Sequence, residues 1–525
     1  MTRATFPLSQ EGTYLSHSTG MNMPITPPQN AKQGRPVRPC NANMLRQLIR
    51  DHYQLVMDMN GVYYLMPFAL GGSLLMEPEL IGSELKRWAA DFLNRDVSNT
   101  QISNALDILR SEPAERRHVA HGRTWLGEQG ERYIDLDGHY SVWERGQESR
   151  FYTSTLQPHW RPANCCPYST EGVQGAHAFD VRNIQYIEKH LPLPLNREWL
   201  IYAYMVLALM PERQMLALEI TGVSHQGKTR WLKALKQWLD PCISDDVNHQ
   251  PPSKVSDLDA LAWHHHVLVL NGVEKPLSTA VQRRLLGFLN GTTLAWKKKG
   301  SSSHLRTKRM SLISADEPVV TDPALVERTL SIELPLRSPP ASKSAPSDID
   351  PNIGRLLIPN DLSMVQAALF GLLGQAHAHI DTTFLDRHVP DGWQDFCKVG
   401  MIVSRAVAGT DEAFWAQYED YRNERARELI EQDPVAMAVE RFFDESGQRE
   451  AVEYPAGEWL TLLSPYREQD VAKRDWPANA RAMGAALKRA APLLNAQGYR
   501  CLDNGKRGST YRWEIAPISI ARRHV

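Results

Sequence analysis

The 525-residue sequence predicts an α/β fold: a P-loop nucleotide-binding core, an α+β domain before it and a winged-helix domain after it. Three observations carry that prediction. Gly222-Val-Ser-His-Gln-Gly-Lys-Thr229 matches G-x-x-x-x-G-K-[S/T]. Short apolar runs alternate with helical patterns on either side of it. Near the C-terminus, helical segments give way to two short strands around a turn.

The loop comes first because its spacing is chemical. Gly222 and Gly227 let the backbone curl until its N–H groups face phosphate oxygens, with Gln226 in the same turn. Lys228 brings a point charge to the β- and γ-phosphates, and the Thr229 hydroxyl is the candidate Mg²⁺ ligand. Before the loop, Met215–Ile220 reads as a buried strand. After it, Trp231, Leu232, Leu235, Trp238 and Leu239 keep helical spacing until Pro241. The helix N-terminus is thereby aimed at the anion. ATP and Mg²⁺ are the expected cofactors.

Composition bounds the rest. A 42% hydrophobic content suffices for globular cores, and 525 residues suggest about three domains. A formal net charge of −1 gives no global attraction to nucleic acid, so DNA contact must come from local patches. Six scattered cysteines without C-x-x-C suggest a reducing compartment. The start of the chain is polar and does not read as a signal peptide. The longest apolar run, Trp199–Met210, is too short to span a bilayer and reads as a buried helix. A cytoplasmic protein with no membrane partner is expected.

In chain order, residues 1–42 are rich in Pro, Ser, Thr, Asn and Gln and read as a disordered arm. Residues 43–190 form the N-terminal α+β domain, with helices at Met44–Arg50, Leu80–Leu93 and Gln101–Leu109. A hairpin follows through Arg132–Trp143. Its Asp135 and Asp137 have the spacing of a two-metal carboxylate pair, but a half-exposed hairpin with a D-G turn is the preferred reading.

Residues 191–336 hold the core. A second buried strand, Val267–Leu270, ends at Asn271-Gly-Val-Glu274, where a P-loop ATPase normally carries an Asp. Glu274 is a candidate substitute, and Asp316 and Glu317 stay open beside it. His264, His265 and His266 are successive and do not converge on one ion. The segment 294–309 reads as a basic hairpin. Trp296 offers a stacking face, and Lys297, Lys298, Lys299, Arg306, Lys308 and Arg309 supply charge for a nucleic-acid backbone. A solvated charged loop is the alternative. A third strand, Met310–Ser314, precedes a short helix, Asp322–Thr329, and a fourth strand, Leu330–Leu334. Arg328 is placed to reach a neighbouring subunit's γ-phosphate, or else to make a surface ion pair.

Residues 337–432 comprise a Pro/Ser-rich linker and a helical region, with an amphipathic helix at Leu362–Ala378. Asp433-Pro434 opens the last domain, 433–515, and 516–525 is a tail. A helix over Trp476–Ala490 turns Met483 and Leu487 inward and Arg481, Lys488 and Arg489 outward. Two strands, Tyr499–Leu502 and Thr510–Ile515, make a wing carrying Lys506, Arg507 and Arg512. These cations are the expected phosphate contacts; a protein-binding winged helix is the alternative.

With those residues placed, the chain resembles phage and mobile-element replicative ATPases related to superfamily 3 helicases and AAA+ proteins. The resemblance follows the order of features over roughly residues 44–515. It implies that Lys228 and Thr229 bind ATP and Mg²⁺, that Lys297–Lys299 grip DNA inside a ring, and that Arg328 is the arginine finger. It also implies a homo-oligomer, a hexameric ring, and a replication initiator or primase as partner. Two positions depart from the pattern: Asn271 replaces Asp, and Ser314 replaces Asn. Both changes weaken hydrolysis more than binding. A DNA-stimulated ring motor and a nucleotide-gated DNA-binding or recruitment protein therefore both stay open, with a primase-like use of Asp135 and Asp137 behind them.

Overall fold

The computed structural model describes residues 38–335 and 359–517, except 40, 59–61, 69–73, 76–77, 117–122, 128–129, 137–138, 144–151, 155–167, 169–179, 188–190, 192, 195, 243–250, 299–300, 432, 468–475, 497 and 508–509. The arm at 1–42, the linker from 337, Asp137, Lys299 and the tail lie largely or wholly outside the described residues. Two compact units are present. Residues 1–122, 155–163 and 295–305 make the first, and the remainder makes the second.

In the first unit, α1 (Ala42–His52) starts where the Asn41 side chain accepts the Met44 N–H. It runs into an antiparallel pair, β1 (Tyr53–Met57) and β2 (Tyr63–Pro67). Helices α2 (Pro78–Leu93) and α3 (Asn99–Arg110) follow, α3 behind a Ser98/Gln101 capping box. Leu45, Ile49, Leu85, Ile102 and Leu106 recur at helical spacing and are buried together.

The second unit opens with the antiparallel strands β3 (Thr124–Leu126), β4 (Arg132–Leu136), β5 (His139–Trp143) and β6 (Tyr152–Ser154). All five residues of β4 are buried, so this strand of the hairpin is not half exposed. After the buried helix α4 (Glu198–Ala208) comes the central sheet. Its elements in chain order are β7 (Ala217–Thr221), α5 (Lys228–Leu239), α6 (Val255–His264), β8 (Val267–Val273) and α7 (Thr279–Asn290). A two-stranded hairpin, β9 (Thr292–Lys298) with β10 (Ser301–Thr307), whose residues 295–305 are counted in the first unit, comes before β11 (Met310–Ala315), α8 (Pro323–Val326) and β12 (Thr329–Glu333) in the chain.

The four sheet strands are parallel in the order β8-β11-β7-β12. Parallel strands covered on both faces are apolar throughout, and every residue of β7 and β11 is buried. The chain returns to place β11 between β8 and β7. The strand following the hairpin therefore becomes the immediate neighbour of the strand that feeds the glycine loop.

Helices α9 (Pro359–His379), α10 (Gln394–Ala408) and α11 (Glu412–Glu431) complete this layer, with α9, α10 and α11 all against α4. The sequence reads 362–378 as amphipathic. Instead most described side chains of α9 are buried, because α10 and α4 cover faces that a lone surface helix would leave wet. Among the described residues no helix is long and apolar enough to cross a membrane.

The C-terminal part begins at α12 (Pro434–Ser446), whose first N–H groups at Val435 and Ala436 are capped by Asp433. Strand β13 (Val452–Pro455), α13 (Ala456–Leu463), α14 (Ala480–Ala496), β14 (Tyr499–Arg507) and β15 (Thr510–Pro517) follow. The sheet is antiparallel in the order β13-β15-β14. Phe442, Trp459, Leu487 and Trp513 fill its core, and the Trp459 indole donates to the Trp513 carbonyl at 3.0 Å.

Candidate functional site

Gly222 and Gly227 both take left-handed backbone angles, φ +134° and +96°. A Cβ on Gly222 would lie 2.2 Å from the Gln226 Oε1 and 3.2 Å from the Leu334 carbonyl, on a backbone angle that strains any L side chain. Gly227 is the N-cap of α5 and supplies no side-chain acceptor. The first N–H groups of a twelve-residue helix thus open uncapped onto the hollow of the loop, the arrangement that favours an anion.

The loop's polar groups converge. The Lys228 ammonium donates to the Gly222 and Val223 carbonyls and pairs with Asp316 Oδ1 at 2.7 Å. The Thr229 hydroxyl donates to Asn271 Oδ1 at 3.1 Å. That oxygen also accepts the Ser314 hydroxyl at 2.9 Å, and Ser314 Oγ accepts the Gly272 N–H at 3.0 Å. Residues from three segments therefore meet at the C-terminal edge of the parallel sheet, where α/β folds place their ligands. Gln226 is buried, its side-chain carbonyl oxygen without a hydrogen-bond partner among the described residues.

Of the residues that hold this edge, the sequence offers Asp316 only as one of three acids and gives no role to Glu219 or Gln282. Asp316 also accepts the Ser224 hydroxyl at 3.1 Å, and the Lys228 and Ser224 hydrogen bonds hold its carboxyl below the ordinary range. Glu219, fully buried in β7, accepts the Val319 and Val320 N–H groups at 2.8 and 3.1 Å. Gln282 on α7 accepts those of Thr321 and Asp322 at 2.8 and 2.7 Å. Together they stitch the segment after β11 to the sheet. The only sequence signal for Glu219 was an acid inside an otherwise apolar strand. Glu219→Ala leaves two buried N–H donors unpaired, which is expected to lower stability by roughly 2–4 kcal/mol in denaturant unfolding.

Two proposed catalytic residues sit elsewhere. Glu274 is exposed and makes no hydrogen bond or ion pair among the described residues. Arg328 precedes β12, whose Thr329 pairs with Ala217 and Glu333 with Thr221. It therefore lies at the opposite edge of the sheet from its own loop, about 15 Å away along the strands. Its guanidinium is half-buried and donates to the Met215 carbonyl at 2.9 Å. Burial lowers its pKa, and Asp395 works against that.

The proposed DNA contacts divide. Trp296, Lys297 and Lys298 lie on β9, and Arg306 is exposed on β10. Lys308 and Arg309 are corrections. Lys308 donates to the Arg213 carbonyl at 2.9 Å, and burial pulls its pKa down. Arg309 is 1% exposed and donates to the Ala262 carbonyl. Both cations are spent on backbone carbonyls, so neither is presented to a phosphate. On α14, Arg481 and Lys488 are exposed seven residues apart and so share one face. Arg489 pairs with Asp433 at 2.8 Å, and Arg512 with Glu453 at 3.7 Å. Lys506 is exposed on β14, which also carries Arg507.

Asp135 is buried and paired with Arg123 at 3.2 Å, a structural arrangement rather than a metal-binding one. His264 ends α6, His265 caps it, and His266 lies just before β8. Asp240, Cys242 and His265 bring ligand atoms within 4.8 Å of one another. The Lys236 ammonium, bonded to Asp240 and 3.3 Å from His265 Nδ1, already supplies the positive charge there.

No curated protein matches the chain. Among solved structures it is similar to one titled "SCCmec type IV Cch - active helicase", at 12% identity and TM-score 0.39, covering 89% of this chain and 93% of that one. It is also similar to the NrS-1 C-terminal region in its apo form, at 13% identity and TM-score 0.34, covering 91% of this chain and 99% of that one. Residues 435–522, the segment folded as α12 to β15, match the family model of the AICE RepA C-terminal domain. Through this last domain the chain is similar to the replication protein of an integrative conjugative element, a mobile-element replication protein.

Proposed function

We propose that the chain is an ATP-binding, DNA-binding, helicase-like ATPase that serves replication of a mobile genetic element as a homo-oligomeric ring. The observation that carries the reading is the meeting of Lys228, Thr229, Asn271 and Ser314 below an uncapped helix N-terminus. On this reading 222–229 is a P-loop. Its oxygen donors, Thr229 Oγ1 and Asn271 Oδ1, suit a hard divalent cation, so Mg²⁺ with a triphosphate fits the residues present. Bound there, Mg²⁺ would neutralise charge developing on the transferred phosphoryl group. The chain's own part is to cradle the phosphates with loop N–H groups and neutralise them with Lys228. Arg328, remote from its own loop, would serve a neighbour's.

The DNA reading rests on the last domain. Three helices and a three-stranded sheet in the order β13-β15-β14 support a winged helix, with α14 as the groove helix and β14–β15 as the wing. Arg481→Ala with Lys488→Ala removes two exposed charges from one face. DNA affinity is expected to fall across sequences, and the slope of log K against log salt to shrink by about 1.8, with unchanged melting. An unchanged slope would move the contact away from α14.

The direct test is purified wild type with Mg²⁺ and ATP: nucleotide binding, turnover with and without single-stranded DNA, and mass by sedimentation. Absence of turnover alongside ATP-dependent assembly and DNA affinity would favour a second reading, a nucleotide-gated DNA-binding or recruitment protein. The neutral Asn271–Ser314 pair is the observation that favours it.

A further inference from the structure

The nucleotide reading leaves one chemical gap. Asn271 occupies the position beside Thr229 where a carboxylate would hold the metal's water, and it is neutral. The structure puts a carboxylate nearby from a different strand. Strand β11 is the immediate neighbour of β7, whereas β8, which leads to Glu274, lies one strand further out. Interstrand spacing is about 4.8 Å, so a residue leaving β11 starts that much closer to the loop. Ser314 already turns its hydroxyl to Asn271, and Asp316, two residues on, keeps to the same side and reaches both Lys228 and Ser224.

Its placement is built. The Asp316 carbonyl accepts the Gly222 N–H at 3.4 Å, extending the β11–β7 ladder onto the loop's first glycine. Three residues later the Val319 carbonyl accepts the Leu277 N–H, and Glu219 and Gln282 take the next N–H groups in turn. The backbone carrying Asp316 is thus tied to β7, to α7 and to the segment before α7. Its side chain remains 63% exposed, open to whatever enters the loop.

We propose that Asp316 supplies the acidic function that Asn271 lacks, and that it does so by exchanging partners. Without nucleotide, its carboxylate neutralises Lys228. When a triphosphate enters, Lys228 turns to phosphate, and the released carboxylate positions the water ligands of Mg²⁺ through hydrogen bonds. Asp316 is in this sense a positioning residue, acting through water rather than on the phosphorus. The inference rests on the nucleotide reading above and makes a demand of its own. A free triphosphate must compete with Asp316 for the same ammonium, whereas one accompanied by Mg²⁺ recruits Asp316.

The experiment measures binding of a fluorescent ATP analogue in EDTA and at increasing Mg²⁺, together with turnover, for wild type, Asp316→Asn, Glu274→Gln and Glu317→Gln. All three side chains are exposed, and circular dichroism checks that each variant is folded. Asp316→Asn is expected to tighten binding in EDTA by roughly 3- to 10-fold and to cut the gain from Mg²⁺ by about tenfold, from the charge removed near the phosphates. Its turnover is expected to fall about 100-fold, as when a preorganised electrostatic group is lost. Glu274→Gln and Glu317→Gln are expected to match wild type in all three measurements. An unchanged Mg²⁺ dependence in Asp316→Asn, or its loss in Glu274→Gln instead, overturns the assignment while leaving nucleotide binding intact. Failure of wild type to bind in either condition removes the nucleotide reading and this inference with it.

Discussion

Lys228→Ala is expected to weaken Mg²⁺–ATP binding by about 100-fold or more and to leave no measurable turnover. The ammonium is held at the loop, bonded to the Gly222 and Val223 carbonyls and to Asp316. Removing it costs the charge-assisted bond to phosphate, worth about 1.5–3 kcal/mol. Without Mg²⁺ it also leaves Asp316 as an unneutralised negative charge beside the entering anion, so in EDTA the loss should exceed that of the bond alone. Melting is expected to stay near that of wild type, because the partners left behind are a solvent-facing carboxylate and loop carbonyls that water can reach. Isothermal titration of wild type and variant decides it. Wild-type affinity in a folded Lys228→Ala would mean that the triphosphate is held somewhere else.

Asp240→Asn is expected to be the most damaging single change to the fold, costing about 3–5 kcal/mol. Asp240 is fully buried at the C-terminal cap of α5. It pairs with Lys236 and lies 3.5 Å from the Arg123 Nε, and it accepts the His266 and Val267 N–H groups at 2.8 and 2.9 Å. One carboxylate therefore fastens the far end of the helix that begins at Lys228 to the start of the strand that ends near Asn271. Burial alone would raise its pKa, but the charges of Lys236, Arg123 and His266 outweigh that and depress it strongly. A folded-state pKa below the unfolded value contributes stability that is fully present above about pH 4 and is lost as pH falls through the folded value. Wild type should therefore lose stability in that acid window. In Asp240→Asn this contribution is already gone at neutral pH, and the acid dependence should be shallower. Denaturant midpoints at pH 7 and pH 3.5 for both proteins test the sign; equal acid sensitivity would show that other carboxylates dominate.

The site was legible where its chemistry is local. Gly222, Gly227, Lys228 and Thr229 sit within eight residues, so one turn and one helix start bring them together. Asn271 and Ser314 were legible for a related reason: each stands at the end of an apolar run, and parallel strands end together at one edge. Asp316 was visible only as one of three acids near strand ends, because choosing among them needs the strand order. Lys308 and Arg309 misled for the opposite reason. A run of cations reads as a surface feature, but in the fold these two are taken up by the carbonyls of Arg213 and Ala262.

By itself the sequence determined the α/β class, the glycine loop between strand and helix, and the start of α12 after Asp433. Each is set by neighbours within one or two turns of chain: backbone freedom at glycine, side-chain periodicity, a cap before a proline. Only the tertiary structure decided that Glu219 holds the segment after β11, that Asp240 locks α5 to β8 from the far end, and which acid faces Lys228. Those partners are 26 to 101 residues apart in the chain. A buried carboxylate is tolerated only where distant donors happen to meet it, and no local pattern records where that is.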